Sequence, residues 1–334
     1  MRSLRRRVFA GLALGFVIVL GLALAGDIRQ VGSHLQRFAW PLTPVILSGT
    51  LFNYSLRFVK WHFYVRLLGA TNLPPRESAR VFVAGFPLAL TPGKVGEALK
   101  ALWLHQRTGL PVARGLPIVA AERVSDGLAV LILSSVGVLT YPRYWPAFAA
   151  LVVLLIGVVL AFQARRPALA VLTWLERFRP IARFGSGLRE VYEGGYQLFR
   201  PLPTLAAISL GTVAWLGEGL AFYLILLGLG LPPDGNLLVS AVFILAFSTA
   251  VGGASTLPGG LGAADATITG MLTLLVGLPV STAAAATLLI RFATLWFGVA
   301  LGLAVWAVSP DLLGLTREDK ASGDRDLSPE EDRS

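Results

Sequence analysis

The chain has 334 residues, 55% hydrophobic and only 14% charged, and its mean hydropathy of +0.69 lies outside the balance of a soluble globular chain. It has no cysteine, which excludes disulfides, thiolate metal sites and a cysteine nucleophile; His34, His62 and His105 show no ligand spacing, so no metal or other cofactor is expected. The net charge of +10 is uneven, with four basic and eight acidic residues over 310–334, and the remaining basic residues flank apolar runs, which speaks for membrane orientation and against nucleic-acid binding.

Residues 1–7 carry four arginines, and residues 8–26 form an apolar run long enough to span the hydrocarbon core. Ala23-Leu24-Ala25 resembles a signal-peptidase site, but the run exceeds the usual length of a signal-peptide core, so a retained span is expected. Residues 27–40 read as a mixed polar connection. The apolar segment 41–68 carries Asn53, Arg57 and Lys60, which recur at helical spacing on one face. Residues 81–90, broken by Pro87 and stopped at Thr91-Pro92-Gly93, are too short to cross a bilayer as a helix.

Residues 116–139 and 145–162 are of spanning length. The stretch 165–200 holds seven arginines and three glutamates, with Leu172, Trp174, Leu175 and Phe178 spaced like the apolar face of a surface helix. The positive-inside rule makes it a cytoplasmic loop, either a solvated connector or a contact for lipid head groups. Spanning candidates follow at 202–229 and 237–251, then a short, broken piece over 257–278 and a final span over 282–308. With both termini and the basic loop inside, the count closes only if 81–104 enters and leaves by the same face, as a re-entrant hairpin.

The expected fold is an all-α integral membrane protein of about eight transmembrane helices plus re-entrant or broken helices. Its membrane domain covers 1–309, with halves of roughly 41–163 and 202–308 joined by the basic loop 164–201, and an acidic disordered tail covers 310–334. The expected location is the inner (cytoplasmic) membrane, with both termini in the cytoplasm.

Two short stretches resemble each other. Thr91-Pro92-Gly93-Lys94-Val95-Gly96-Glu97 and Leu257-Pro258-Gly259-Gly260-Leu261-Gly262-Ala263 both read Pro-Gly-x-x-Gly, each follows a similar apolar piece, and each precedes an intramembrane arginine, Arg123 or Arg291. Paired Gly/Pro-interrupted segments in two halves point to a transporter-type site built from discontinuous helices, here as an inverted repeat. A broken helix exposes backbone N–H donors at a new N-terminus, which attract an anion such as a lipid phosphate.

The acidic residues set in apolar context are Glu97, Glu122, Asp126, Glu218 and Asp265. A charge in hydrocarbon costs at least about 2.5–3.5 kcal/mol, which predicts pairing inside the bundle. Glu122 and Asp126 share a helix face beside Arg123. Arg57, Lys60, Arg123 and Arg291 are the expected cationic partners, of these carboxylates and of a bound head group.

At these residues the chain resembles the membrane region of lysylphosphatidylglycerol synthases, the flippase-like domain family. Pro92-Gly93-Lys94-Val95-Gly96-Glu97, then Glu122-Arg123-Val124-Ser125-Asp126, then Leu257-Pro258-Gly259-Gly260-Leu261-Gly262 carry the resemblance, which covers nearly the whole chain to residue 308. Two positions depart from the family pattern. Lys94 or Lys100 stands in for the arginine that follows Gly-Glu, and Asp265 stands for a glutamate, with shorter reach.

The resemblance implies translocation of a lipid between leaflets or support of lipid modification, and not aminoacyl transfer, since these residues include no soluble synthase domain. The leading expectation is a lipid translocase whose partner is a membrane phospholipid or a lipid-linked substrate. The alternatives are a membrane-embedded transferase with Glu97, Glu122 or Asp126 as base, and a non-transporting accessory subunit beside a separate lipid-modifying enzyme. A homo-oligomer fits any of these. Which lipid, which direction and which energy source are not written in the sequence.

Overall fold

The first apolar run folds as helix α1 (Arg2–Ala25), in a computed structural model that describes residues 2–91, 96–140, 143, 145–178 and 185–313. Asp27 ends the run with a positive φ of 61°, and its carboxylate accepts the Arg29 N–H at 3.0 Å. That cap starts α2 (Ile28–Arg37), turned by 96° from α1. The polar connection expected here is thus a short helix that buries only Val31.

Helix α3 (Thr43–Leu67) closes with Gly69 at φ 104°. The N–H of Ala70 bonds Val65 O and that of Gly69 bonds Arg66 O, a pairing that satisfies two terminal carbonyls and suits glycine in the left-handed region. Helix α4 (Pro75–Ala84) gives way to a 3-10 turn, Phe86–Leu90, at Pro87, which has no N–H to continue the ladder. After the first Pro-Gly motif come α5 (Leu99–Thr108), the single turn α6 (Val112–Gly115), α7 (Pro117–Thr140) and α8 (Trp145–Gln163).

The basic stretch is helical: α9 (Arg165–Leu175) buries nothing, whereas α10 (Gly185–Leu198) packs on α6 and α7 and buries Tyr192, Gly194, Gly195 and Leu198. It is therefore not a solvated connector throughout. The second half continues with α11 (Pro201–Gly228), α12 (Gly235–Ala254), a 3-10 turn Pro258–Gly260, α13 (Ala263–Leu275), α14 (Val280–Arg291), a π turn Phe292–Trp296 and α15 (Phe297–Val308). All regular elements among the described residues are helical.

Helices α8, α11, α12 and the continuous Val280–Val308 rod are long and apolar enough to cross a bilayer, and α1 with α2 adds a fifth if the bent pair counts as one. Helices α3 and α7 also have the length, about 36 Å at 1.5 Å per residue, but carry the charged residues of the site. Length and composition alone thus do not reproduce the eight expected spans. Helix α8 is apolar all round with no buried residue, as befits a helix facing lipid.

The buried apolar side chains form two main clusters. One gathers Trp61, Tyr64, Phe82, Trp103, Leu104 and Ile118 from α3, α4, α5 and α7; the other gathers Phe222, Ile225, Phe243, Ile244, Ile268 and Ile290 from α11 to α14. Helix α3 lies along α11 where Gly49 meets Gly217. A Cβ on Gly49 would stand 3.1 Å from both Gly217 O and Ala221 Cβ, so the small residues set this approach.

The turn after α15 is tied down. Trp306 Nε1 donates to Ala84 O at 2.9 Å and Trp103 Nε1 to Leu312 O at 2.9 Å. Asp311 pairs with Arg80 at 3.2 Å and Arg107 at 2.6 Å, and Glu77 accepts from the same two arginines at 2.7 and 3.2 Å. The disordered tail expected from residue 310 therefore does not begin there, since Pro310–Leu313 is a 3-10 turn docked on α4 and α5. Residues 314–334 lie outside the described residues.

Candidate functional site

Between the two apolar clusters lies a cavity of about 620 Å³, lined from α3, α4, α5, α7, α8, α11, α12, α13, α14, α15 and both Pro-Gly segments. Its charged residues pair across elements. Asp126 on α7 is held by Lys60 at 2.5 Å and by Arg57 at 3.3 Å, both from the polar face of α3, and Lys60 also donates to Ser125 Oγ at 3.1 Å. Asn53, one turn before Arg57, is fully buried, and neither amide atom has a partner among the described residues.

Glu122 is held by Lys100 from α5 at 2.6 Å, and the Lys100 ammonium sits 4.5 Å from the Trp61 ring centroid. Glu97 and Arg123 are 3.4 Å apart. In the second half, Arg291 grips Asp265 with Nε at 2.5 Å and Nη2 at 3.2 Å, and the same Nη2 donates to Gly260 O at 3.2 Å. In both of these pairs the arginine follows its carboxylate by 26 residues.

The structure thus brings eight expected site residues to one cavity: Arg57, Glu97, Glu122, Arg123, Asp126, Gly259, Gly260 and Arg291. Lys60, Asp265 and Asn53 stand behind it, the first two gripping residues that line it. Pro258 opens the second 3-10 turn and does not line the cavity. Gly259 and Gly260 have φ of 60° and 65°, and a Cβ on Gly260 would lie 3.1 Å from the Gly252 backbone, so this turn can seat against α12 only as glycine. Pro92, Gly93 and Lys94 lie outside the described residues.

Two expectations need correction. The Gly96 N–H is not open to an anion, because it donates to Thr91 Oγ1 at 2.9 Å, and the Gly262 N–H donates to Asp265 Oδ2 at 2.7 Å. Neither glycine lines the cavity. A Cβ on Gly96 would meet the Thr91 side chain at 2.7 Å, and Gly262 has φ 83°, so both glycines serve local backbone geometry rather than room for a head group.

The transferase expectation also weakens, since Glu97, Glu122 and Asp126 each have a cation at hand and none is poised as a free base.

Four cavity residues escaped the expected set. The sequence offers Lys100 only as a stand-in for an arginine and Glu218 only as an intramembrane acid. Tyr54, whose hydroxyl donates to Thr294 O at 2.6 Å, and Trp215, whose ring lies 5.8 Å from the Arg57 guanidinium, left no signal among so many apolar aromatics. Among the described residues there is no cluster of three His, Cys, Asp or Glu residues that could hold a metal.

In the three arginine pairs the cation is more exposed than the anion, whereas Lys60 is 1% exposed against 8% for Asp126. The side chain of Arg123 is 35% exposed against 4% for Glu97, Arg57 14% against 8% for Asp126, and Arg291 14% against 3% for Asp265.

Comparison with known proteins agrees with this arrangement in extent. The sequence profile of the family described as "Lysylphosphatidylglycerol synthase TM region" matches residues 8–302. A "UPF0104 membrane protein" of Methanothermobacter thermautotrophicus is 24% identical over 336 residues, covering 90% of this chain and 93% of the relative. No solved structure matches the chain significantly. A match that takes in both halves, both Pro-Gly segments and every described charged residue of the cavity makes the chain a member of the lysylphosphatidylglycerol synthase transmembrane-region family.

Proposed function

We propose that this protein carries a lipid with an anionic head group between the two leaflets, the head group passing through the cavity while the acyl tails stay in the bilayer. The observation that carries this reading is the asymmetry of exposure: Arg57, Arg123 and Arg291 all line the cavity, and each guanidinium is more exposed than its carboxylate partner. A phosphate can then draw on several guanidinium donors without stranding a bare positive charge when it leaves.

The equal spacing of Glu97 with Arg123 and of Asp265 with Arg291 supports an internal repeat, and a repeat whose halves rock about a shared site gives alternating access. The test is translocation of fluorescent phosphatidylglycerol in proteoliposomes, read by the fraction quenched with an impermeant reductant. Quenching beyond the outer-leaflet half is expected with the protein and not with empty vesicles. Equal quenching in both sinks the reading.

We further propose that α9, α10 and both termini face the cytoplasm, on the strength of the arginines over 165–200. The cysteine-free chain makes this direct to check. An impermeant thiol reagent should label Arg177→Cys only after cells are permeabilised; labelling of intact cells would invert the topology.

A further inference from the structure

Four of the five buried acids of the site have a cation within 3.4 Å: Asp126 has Lys60 and Arg57, Glu122 has Lys100, Glu97 has Arg123 and Asp265 has Arg291. Glu218 on α11 is the exception. It is 3% exposed and lines the cavity, yet among the described residues no donor or cation stands within hydrogen-bond or ion-pair distance of its carboxylate. The charged and titratable groups that face it are Tyr54 and Arg57 from α3, Asp126 from α7 and Arg291 from α14; α12, also packed against it, has none.

Its position mirrors that of Arg57. Arg57 stands 24 residues before Val81 of the Val81-Phe82 piece, and Glu218 stands 24 residues before Val242 of the Val242-Phe243 piece. The frame of the repeat therefore places them at equivalent points of the two halves, with opposite charge. Arg57 can leave Asp126 for an incoming anion, because Lys60 still neutralises Asp126. Glu218 has no such cover.

An intramembrane carboxylate without a partner is neutralised rather than left charged. A metal ion would want further ligands, and none are grouped here among the described residues, whereas a proton needs only the one carboxylate. We propose that Glu218 is the proton-exchange site of the cavity: an O–H bond forms on its carboxylate, with a proton from water, when an anionic head group binds beside Arg57, and breaks when the head group leaves. An arriving anion favours the protonated form of a nearby carboxylate that has no cation of its own. Head group and proton together add no net charge to the cavity, so the loaded state can cross the membrane at lower cost than the head group alone. This inference rests on the head-group reading above.

The experiment adds short-chain phosphatidylglycerol to detergent-solubilised protein in weakly buffered solution with a pH indicator, from about pH 5 to about pH 9, the range that covers shifted buried carboxyls. Lipid binding is followed in parallel by calorimetry. Within that range, uptake of about one proton per lipid bound is expected in the wild type. The uptake should vanish in Glu218→Gln with binding retained, and persist in Asp234→Asn, an exposed acid between α11 and α12.

Binding without proton uptake, or uptake unchanged in Glu218→Gln, overturns the proposal. Absence of binding in the wild type sinks the head-group reading as well, and calorimetry tells the two failures apart. If Glu218→Gln does not fold, infrared difference spectra of the wild type serve instead: a protonated-carboxyl band should appear on lipid addition, and its absence counts against the proposal.

Discussion

Asp126→Asn is expected to lower the stability of the protein by about 3–5 kcal/mol, the usual cost of stripping one partner from a buried ion pair. Asp126 is the anion shared by Lys60, 1% exposed, and Arg57. Without it two cations face each other on α3 with no counter-charge, and the seam between α3 and α7 loses what neutralises it. Unfolding in mixed micelles measures the loss. The double variant Asp126→Asn with Lys60→Met should recover most of it, because removing both partners strands only the more exposed Arg57. An unchanged unfolding curve for Asp126→Asn alone would mean that the pairing does not hold these helices together.

Arg123→Gln and Arg291→Gln should each weaken binding of an anionic lipid in nanodiscs by about 10- to 100-fold, the equivalent of about 1.5–3 kcal/mol for one charge-assisted contact. Since Arg291 is the partner of buried Asp265, the cleaner form of the second variant is Arg291→Gln with Asp265→Asn, which leaves no unpaired carboxylate. Combining the changes in both halves should do less harm than the product of the separate losses, as neighbours that share a ligand are non-additive. Losses that multiply fully would assign the two arginines to separate sites. Losses that track thermal stability alone would remove both from binding.

What could be read from sequence was what is local. Arg57 and Lys60 share a face of α3 because three residues are close to one helical turn, and that spacing needs no tertiary information. The Lys100–Glu122 pair spans 22 residues and two connections, so nothing local announces it. The repeat is regular only from the right landmark: counted from Gly96 and Gly262, the two arginines follow at unequal intervals, while counted from Glu97 and Asp265 the intervals agree. The occupied donors could have been foreseen, since an acid three residues past a helix N-cap commonly turns back to the cap N–H, as Asp265 does to Gly262. Glu218 was legible as a costly charge but not as a cavity residue, because only the packing of α3 against α11 turns it toward Arg57.

The docking of the Pro310–Leu313 turn on α4 and α5 bears on the order in which the protein is built. Trp103 bonds Leu312 across 209 residues, and Arg107 pairs with Asp311 across 204. Membrane proteins are threaded into the bilayer as they are translated, so the segment that holds Glu97 and Lys100 is inserted long before its clasp has been synthesised. Throughout that interval Trp103 lacks Leu312, Arg80 and Arg107 have Glu77 but not Asp311, and closure waits for α15 to arrive. Contacts of such sequence separation form late and are slow to find. The site therefore becomes complete only once α15 and the turn behind it have left the ribosome, which makes assembly of the cavity follow the synthesis of more than 300 residues.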